Sequence, residues 1–178
     1  MASARLGPVH HSCGVSDADT RWLGPIRAAL LALACVLAAA TLGQFLAGDD
    51  PRARLTELDT TTLTLPFAAW IVVAVLYYVI AGFVVYRLGR RLPEARTAFV
   101  AVMCVILTNE AWNALLFGFD SVAPAAIGMV FFAAITTVTS VFVYRTDRVA
   151  GWVLLPYVVW VLVYDLPWIA AVWWDSVS

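Results

Sequence analysis

The chain has no lysine, three cysteines, two histidines and few charges of either sign, and each scarcity closes off a class of function. Charged residues fill 13% of its 178 positions, about half the roughly 25% usual in a soluble domain. Net charge is −1, so there is no broad basic field and nucleic acid is not an expected partner. Cys13 lies in a polar stretch, while Cys35 and Cys104 lie within apolar runs. That placement argues against a disulfide framework and for small packing residues. His10-His11 is an isolated pair, and no spacing of His, Cys, Asp and Glu suits a metal. No Gly-rich phosphate loop, HExxH motif or serine nucleophile elbow occurs. Nor is there an internal repeat of the kind that builds inverted-repeat transporters.

What the chain does have is apolar surface: 63% of residues are hydrophobic and mean hydropathy is +0.88. A helix rises 1.5 Å per residue and needs about 20 apolar residues to cross a bilayer. Five segments qualify, at about 25–47, 65–88, 97–118, 122–144 and 150–173. The fold class is therefore all-α integral membrane, a five-transmembrane-helix bundle in lipid. Residues 24–174 form a single membrane domain, preceded by a polar tail over 1–23 that is expected to be disordered. Asp49-Asp50-Pro51-Arg52 and Thr60-Thr61-Thr62 mark the one long loop, residues 48–64. A secretory leader ending at Ala38-Ala39-Ala40 is the weaker alternative for the first span, which runs on through Phe45 behind an overlong polar start.

Arginine counts set the orientation. Arg5, Arg21, Arg27, Arg87, Arg90, Arg91, Arg96, Arg145 and Arg148 fall on the N-terminal side of the membrane, and Arg52 and Arg54 on the other. Nine against two predicts a cytoplasmic N-terminus and an external C-terminus, in a prokaryotic cell membrane.

Two spans carry polar chemistry. The third holds Thr108-Asn109-Glu110-Ala111-Trp112-Asn113, in which Asn109 and Asn113 are i, i+4 neighbours. Amides there can bond across helices, but a carboxylate in hydrocarbon must protonate, pair or meet water. In the fifth span Tyr157, Trp160, Tyr164 and Trp168 follow i, i+3, i+7, i+11 and share a face. Asp165 sits beside them, at about the depth of Glu110, with no Lys or Arg level with either acid. The two acids are expected to form a ligand or proton site, sharing a proton or facing water. Pro156 and Pro167 each remove a backbone donor and bend the helix. Trp173 and Trp174 read as an interfacial belt.

In the first span Ala28, Ala32, Cys35, Ala39 and Gly43 make a small-residue face. It serves either packing within the bundle, the favoured reading, or a homodimer. Gln44 is expected to reach headgroups, and Thr136, Ser140 and Tyr144 in the fourth span to satisfy their own helix.

Asn109-x-x-Trp112-Asn113-x-x-Leu116-Phe117 resembles the third-helix signature of the tryptophan-rich sensory protein / translocator protein (TspO/MBR) family. Leu155-Pro156-Tyr157-x-x-Trp160 is similar to that family's fifth-helix motif, and Leu76-Tyr77-Tyr78 with Gly82 faintly to its second. The resemblance implies a five-helix bundle, often dimeric, that binds porphyrins, haem or sterol-like molecules under the first loop. No cofactor is required; porphyrin or haem enters as ligand. Two departures stand out. Residues 48–64 contain no Trp where the family has a Trp/Pro-rich run, and Tyr164 replaces a small residue, narrowing the pocket.

The expected function is a membrane receptor or carrier that binds a small planar hydrophobic ligand, without turnover. The ligand-contacting residues would be Asn109, Glu110, Trp112, Asn113, Tyr157, Trp160, Tyr164, Asp165 and Trp168. Competing readings are an integral-membrane enzyme on a lipid or isoprenoid, with Glu110 and Asp165 as acid and base, and a small proton-coupled transporter.

Overall fold

The computed structural model describes residues 23–48, 50–58, 61, 63, 65–119 and 121–178. The expected polar tail lies outside the described residues apart from Leu23. Helices α1 (Pro25–Leu46), α2 (Pro51–Glu57), α3 (Phe67–Gly89), α4 (Leu92–Gly118) and α5 (Ala123–Thr146) are followed by α6 (Arg148–Trp160). A π-helical turn over Val161–Asp165 leads into α7 (Leu166–Val177). The segment Arg148–Val177 runs on as one helix of 30 residues, and with α1, α3, α4 and α5 it makes five helices long and apolar enough to span a membrane. The chain is an integral membrane protein with a bilayer as its environment.

The fifth crossing runs to Val177, four residues beyond the expected 173, and two further differences from the sequence reading have a local cause. The third crossing begins at Leu92, five residues before the expected 97, and places Pro93 in its first turn. Proline is tolerated there because that N–H has no intrahelical acceptor. The loop after the first crossing contains α2, where Asp50 accepts from the Ala53 N–H at 2.9 Å and Pro51 opens the helix. Asp-Pro is a cap followed by a favoured first residue, so what reads as a loop marker starts a short helix.

The helices close a ring. α1 lies against α3 and α4, α4 against α5, α5 against α6 and α7, and α6 returns to α3, which also touches α4. Ala28, Ala32, Ala39 and Gly43 are buried on α1, so the small-residue face is used within the bundle. Lipid supplies no hydrophobic drive between helices, and small residues let backbones approach instead. At Gly151 an added Cβ would stand 2.6 Å from the Tyr144 Cα, which shows how closely α6 folds back on α5. Outward-facing Leu30, Val79, Phe131 and Val163 are more than half exposed and present apolar surface to lipid.

Asp147 fastens the arginine-rich end. Its carboxylate accepts from Arg87 Nε at 3.0 Å and Arg87 Nη2 at 3.1 Å, and caps α6 through the Ala150 N–H at 3.1 Å. Arg91 stands 3.6 Å away. One side chain thereby joins the α3–α4 turn to the α5–α6 turn. Burial alone would raise its pKa, but the Ala150 N–H and the two guanidinium groups outweigh burial and hold it below the usual aspartate value.

Candidate functional site

The polar stretch of α4 turns inward. Glu110 is fully buried, and Asn109 and Trp112 nearly so. Glu110 Oε1 accepts from the Tyr78 hydroxyl at 3.1 Å and Asn109 Nδ2 at 3.3 Å, and Oε2 accepts from Asn113 Nδ2 at 3.2 Å. The Asn109 carbonyl in turn accepts from the Tyr157 hydroxyl at 2.9 Å. A chain of polar groups thus crosses from α3 through α4 to α6. Gly43 of α1 covers it: a Cβ there would overlap the Glu110 carboxylate and lie 3.0 Å from the Tyr78 oxygen. The close helix approach at Gly43 therefore requires a residue without a side chain.

A cleft of about 310 Å³ opens beside this network, walled by Gly43, Gln44, Leu55, Trp70, Trp112, Asn113 and Phe117. The buried Leu55 belongs to α2, so the short loop helix covers one side of the opening. Arg54 holds α2 in place by donating to the Phe119 carbonyl at 2.6 Å and to Leu116 O at 3.4 Å, carbonyls at the C-terminal end of α4. A second tie comes from the Tyr164 hydroxyl, 2.6 Å from Leu63 O.

Behind the cleft lies a recess of about 80 Å³, lined among others by Tyr77, Asn109, Tyr157, Trp160 and Asp165. Trp70, Ala74, Tyr78, Trp112 and Asn113 border both spaces. The aromatic rings brace one another. Tyr77 and Tyr157 stand 4.7 Å apart, Trp160 and Tyr164 4.5 Å, and Trp70 meets Trp168 edge-on at 4.9 Å. Trp112 is fixed by donating its indole N–H to Ala125 O at 3.1 Å.

The π-helical turn sets up the fifth crossing. The Leu166 N–H reaches back to Val161 O, a wide turn placed just before Pro167, which has no N–H to give. Asp165 closes that turn and is 4% exposed.

Of the nine residues expected to contact ligand, Asn109, Trp112, Asn113, Tyr157, Trp160 and Asp165 line the cleft or the recess. Glu110 stands behind them and anchors the polar network. Tyr164 and Trp168 instead pack against Trp70 and support the wall. Glu110 and Asp165 make no hydrogen bond to each other; the expectation of a shared proton gives way to two separate environments, because each of Glu110's oxygens accepts from neighbouring side chains.

Other expectations also shift. Gln44 lines the cleft and does not simply reach headgroups. Ser140 bonds to Thr137 O at 2.7 Å as its helix position suggests, whereas the buried Thr136 hydroxyl has no partner in the protein. Trp70 and Tyr78 were absent from the expected contacts. Their signal was available: Trp70, Ala74, Tyr77 and Tyr78 follow i, i+4, i+7, i+8 on one helix face.

No curated protein and no solved structure matches the chain. The model of the TspO/MBR family matches residues 31–174, which reaches into all five crossings and includes the polar stretch of α4 and the aromatic wall of the fifth helix. With that match spanning most of its length, the chain belongs to the TspO/MBR family.

Proposed function

We propose that this protein is a membrane receptor or carrier that takes a planar hydrophobic ligand, porphyrin/haem-like or sterol-like, into the cleft under α2. The observation that carries this reading is the adjacency of the cleft and an aromatic recess, which share Trp70, Ala74, Tyr78, Trp112 and Asn113 as walls. Flat rings on three helices border a space at the lower end of the range that small-molecule sites occupy, about 300–1,000 Å³. A ligand plane in the cleft can stack on Trp70 and Trp112, with Trp160 closing the recess at its inner end, and Asn113 and Gln44 supply polar contacts at its edge. The lining residues include no His, Cys or Met, so a haem would be held as a porphyrin plane by stacking and not through an iron ligand from these walls. The acid–base enzyme reading has less support. A general base needs a lone pair facing its substrate, and Glu110 lines neither the cleft nor the recess, its carboxylate being turned to Tyr78, Asn109 and Asn113.

Purified protein titrated with a porphyrin should show saturable quenching of tryptophan fluorescence at micromolar concentration, about −8 kcal/mol. Trp160→Ala should weaken binding by roughly 1–3 kcal/mol, the scale of a lost aromatic contact. Quenching that never saturates and is equal in both proteins would reduce binding to partitioning into detergent and overturn the receptor reading. The arginine asymmetry further supports a cytoplasmic N-terminus. A reporter fluorescing only in the cytoplasm should be bright at Met1 and dark after Ser178, and the reverse pattern overturns that orientation.

A further inference from the structure

The arginine-rich end of the bundle carries more charge than its one clamp uses. Seven arginines among the described residues lie there with two acids, Glu94 and Asp147. Asp147 is engaged by Arg87 and Arg91. Arg90, Arg96, Arg145 and Arg148 are exposed and take part in no ion pair among the described residues. Orientation in the membrane requires an excess of arginine on one side, but it does not dictate what surrounds each one.

Arg145 and Arg148 have surroundings of their own. They flank Thr146-Asp147, Arg145 in the last turn of α5 and Arg148 as the first residue of α6. Tyr144 precedes Arg145, and Trp152 lies one turn beyond Arg148 on the same face of α6. The two rings meet edge-on, 6.0 Å apart at 81°. Gly151 lets α6 pass against the Tyr144 backbone, which brings the rings together. Both rings stay exposed. Exposed Tyr and Trp near a helix end settle at headgroup level in a bilayer, so this patch lies where phospholipid headgroups are.

The balance of donors and acceptors selects the headgroup. Two guanidinium groups and an indole N–H can only donate, and the Tyr144 hydroxyl adds a further donor. The one carboxylate of the turn, on Asp147, is buried and already bonded to Arg87 and the Ala150 N–H. A phosphodiester offers the acceptor geometry that guanidinium groups match. The ammonium of a choline or ethanolamine headgroup would meet two like charges and no open acceptor. We propose that the α5–α6 turn binds an anionic phospholipid whose phosphate is its only charge, of the phosphatidylglycerol kind, in the leaflet where this end of the bundle sits. The site is at the opposite end from the cleft under α2, and it stands or falls independently of the ligand proposed there.

Full-length protein in a neutral maltoside detergent is given equal amounts of phosphatidylglycerol and phosphatidylcholine of distinguishable mass, and the bound lipid is identified by native mass spectrometry. Wild type is expected to retain phosphatidylglycerol about ten-fold more often, since each basic side chain near an anionic surface contributes about five-fold. Arg145→Gln combined with Arg148→Gln should bring the ratio to parity. Arg90→Gln combined with Arg96→Gln removes the same charge from the α3–α4 side and should leave the ratio in place. Thermal melting checks the fold of each variant, and Arg148→Gln alone, expected to lower the ratio about five-fold, carries the test if the first pair melts early. Equal retention of the two lipids by wild type overturns the proposal. So does a preference that survives Arg145→Gln with Arg148→Gln. An equal fall in both double variants overturns it too, because the preference would then belong to net charge and not to this turn.

Discussion

Asp147 and Asp165 are buried to the same degree, 3% and 4% exposed, at the start and in the middle of one continuous helix, yet their surroundings are opposite. Asp147 has two arginines and a backbone N–H on its carboxylate. Asp165 has a buried oxygen with no partner, as do Trp70 Nε1, Tyr77 Oη and Trp160 Nε1 of the residues that line the same recess. A buried carboxylate that is fully bonded holds elements together. One left open costs desolvation with no internal return. Glu110 stands on the Asp147 side of this divide, since three donors from two helices meet it.

The largest effect expected from this contrast is at the ion-paired end. Asp147→Ala removes two guanidinium bonds and a helix cap, and should cost about 2–4 kcal/mol. Arg87 is itself a third exposed, so the loss stays near the lower end of what breaking a buried pair costs. Unfolding in mixed micelles measures it, and a variant as stable as wild type would erase the contrast. Next comes Gly43→Ala, whose Cβ collides with the bonded Glu110 carboxylate; overpacking of this kind should cost about 1–3 kcal/mol. Gly118, with open space around it, is the control: Gly118→Ala should be neutral or slightly stabilising in the same unfolding measurement.

A smaller effect follows from pH. The folded-state pKa of Asp147 lies below its unfolded value of about 3.9. The stability it contributes is therefore present above that unfolded value and is lost as pH falls through the folded one. Melting temperature between pH 7 and pH 3 should drop more steeply in wild type than in Asp147→Asn. The smallest change is expected at Asp165→Asn, whose melting temperature should equal or slightly exceed that of wild type, because a neutral amide avoids the desolvation of an open carboxylate. A melt as damaged as that of Asp147→Ala would make the two acids equivalent and remove the distinction.

Much of this molecule is legible in one dimension. The five crossings follow from run length and hydropathy, and the inward face of α4 follows from Asn109, Glu110 and Asn113, because polar groups cannot face lipid. The Asp147 clamp was not legible. Its partners, Arg87 and Arg91, are about sixty residues away, and in the sequence all three look like ordinary residues of polar turns. Helix α2 was hidden for a related reason, since a single Asp-Pro cap is a weak signal without the α4 carbonyls that Arg54 finds.

Composition and periodicity are local properties, so they settle the membrane class, the number of crossings and which residues each helix turns inward. Partnership is not local. That Glu110 is satisfied and Asp165 is open depends on which side chains from α3, α4 and α6 meet them, and on the π-helical turn that carries Asp165. Both acids read alike in the chain; packing alone makes one a brace and leaves the other with an unpartnered oxygen.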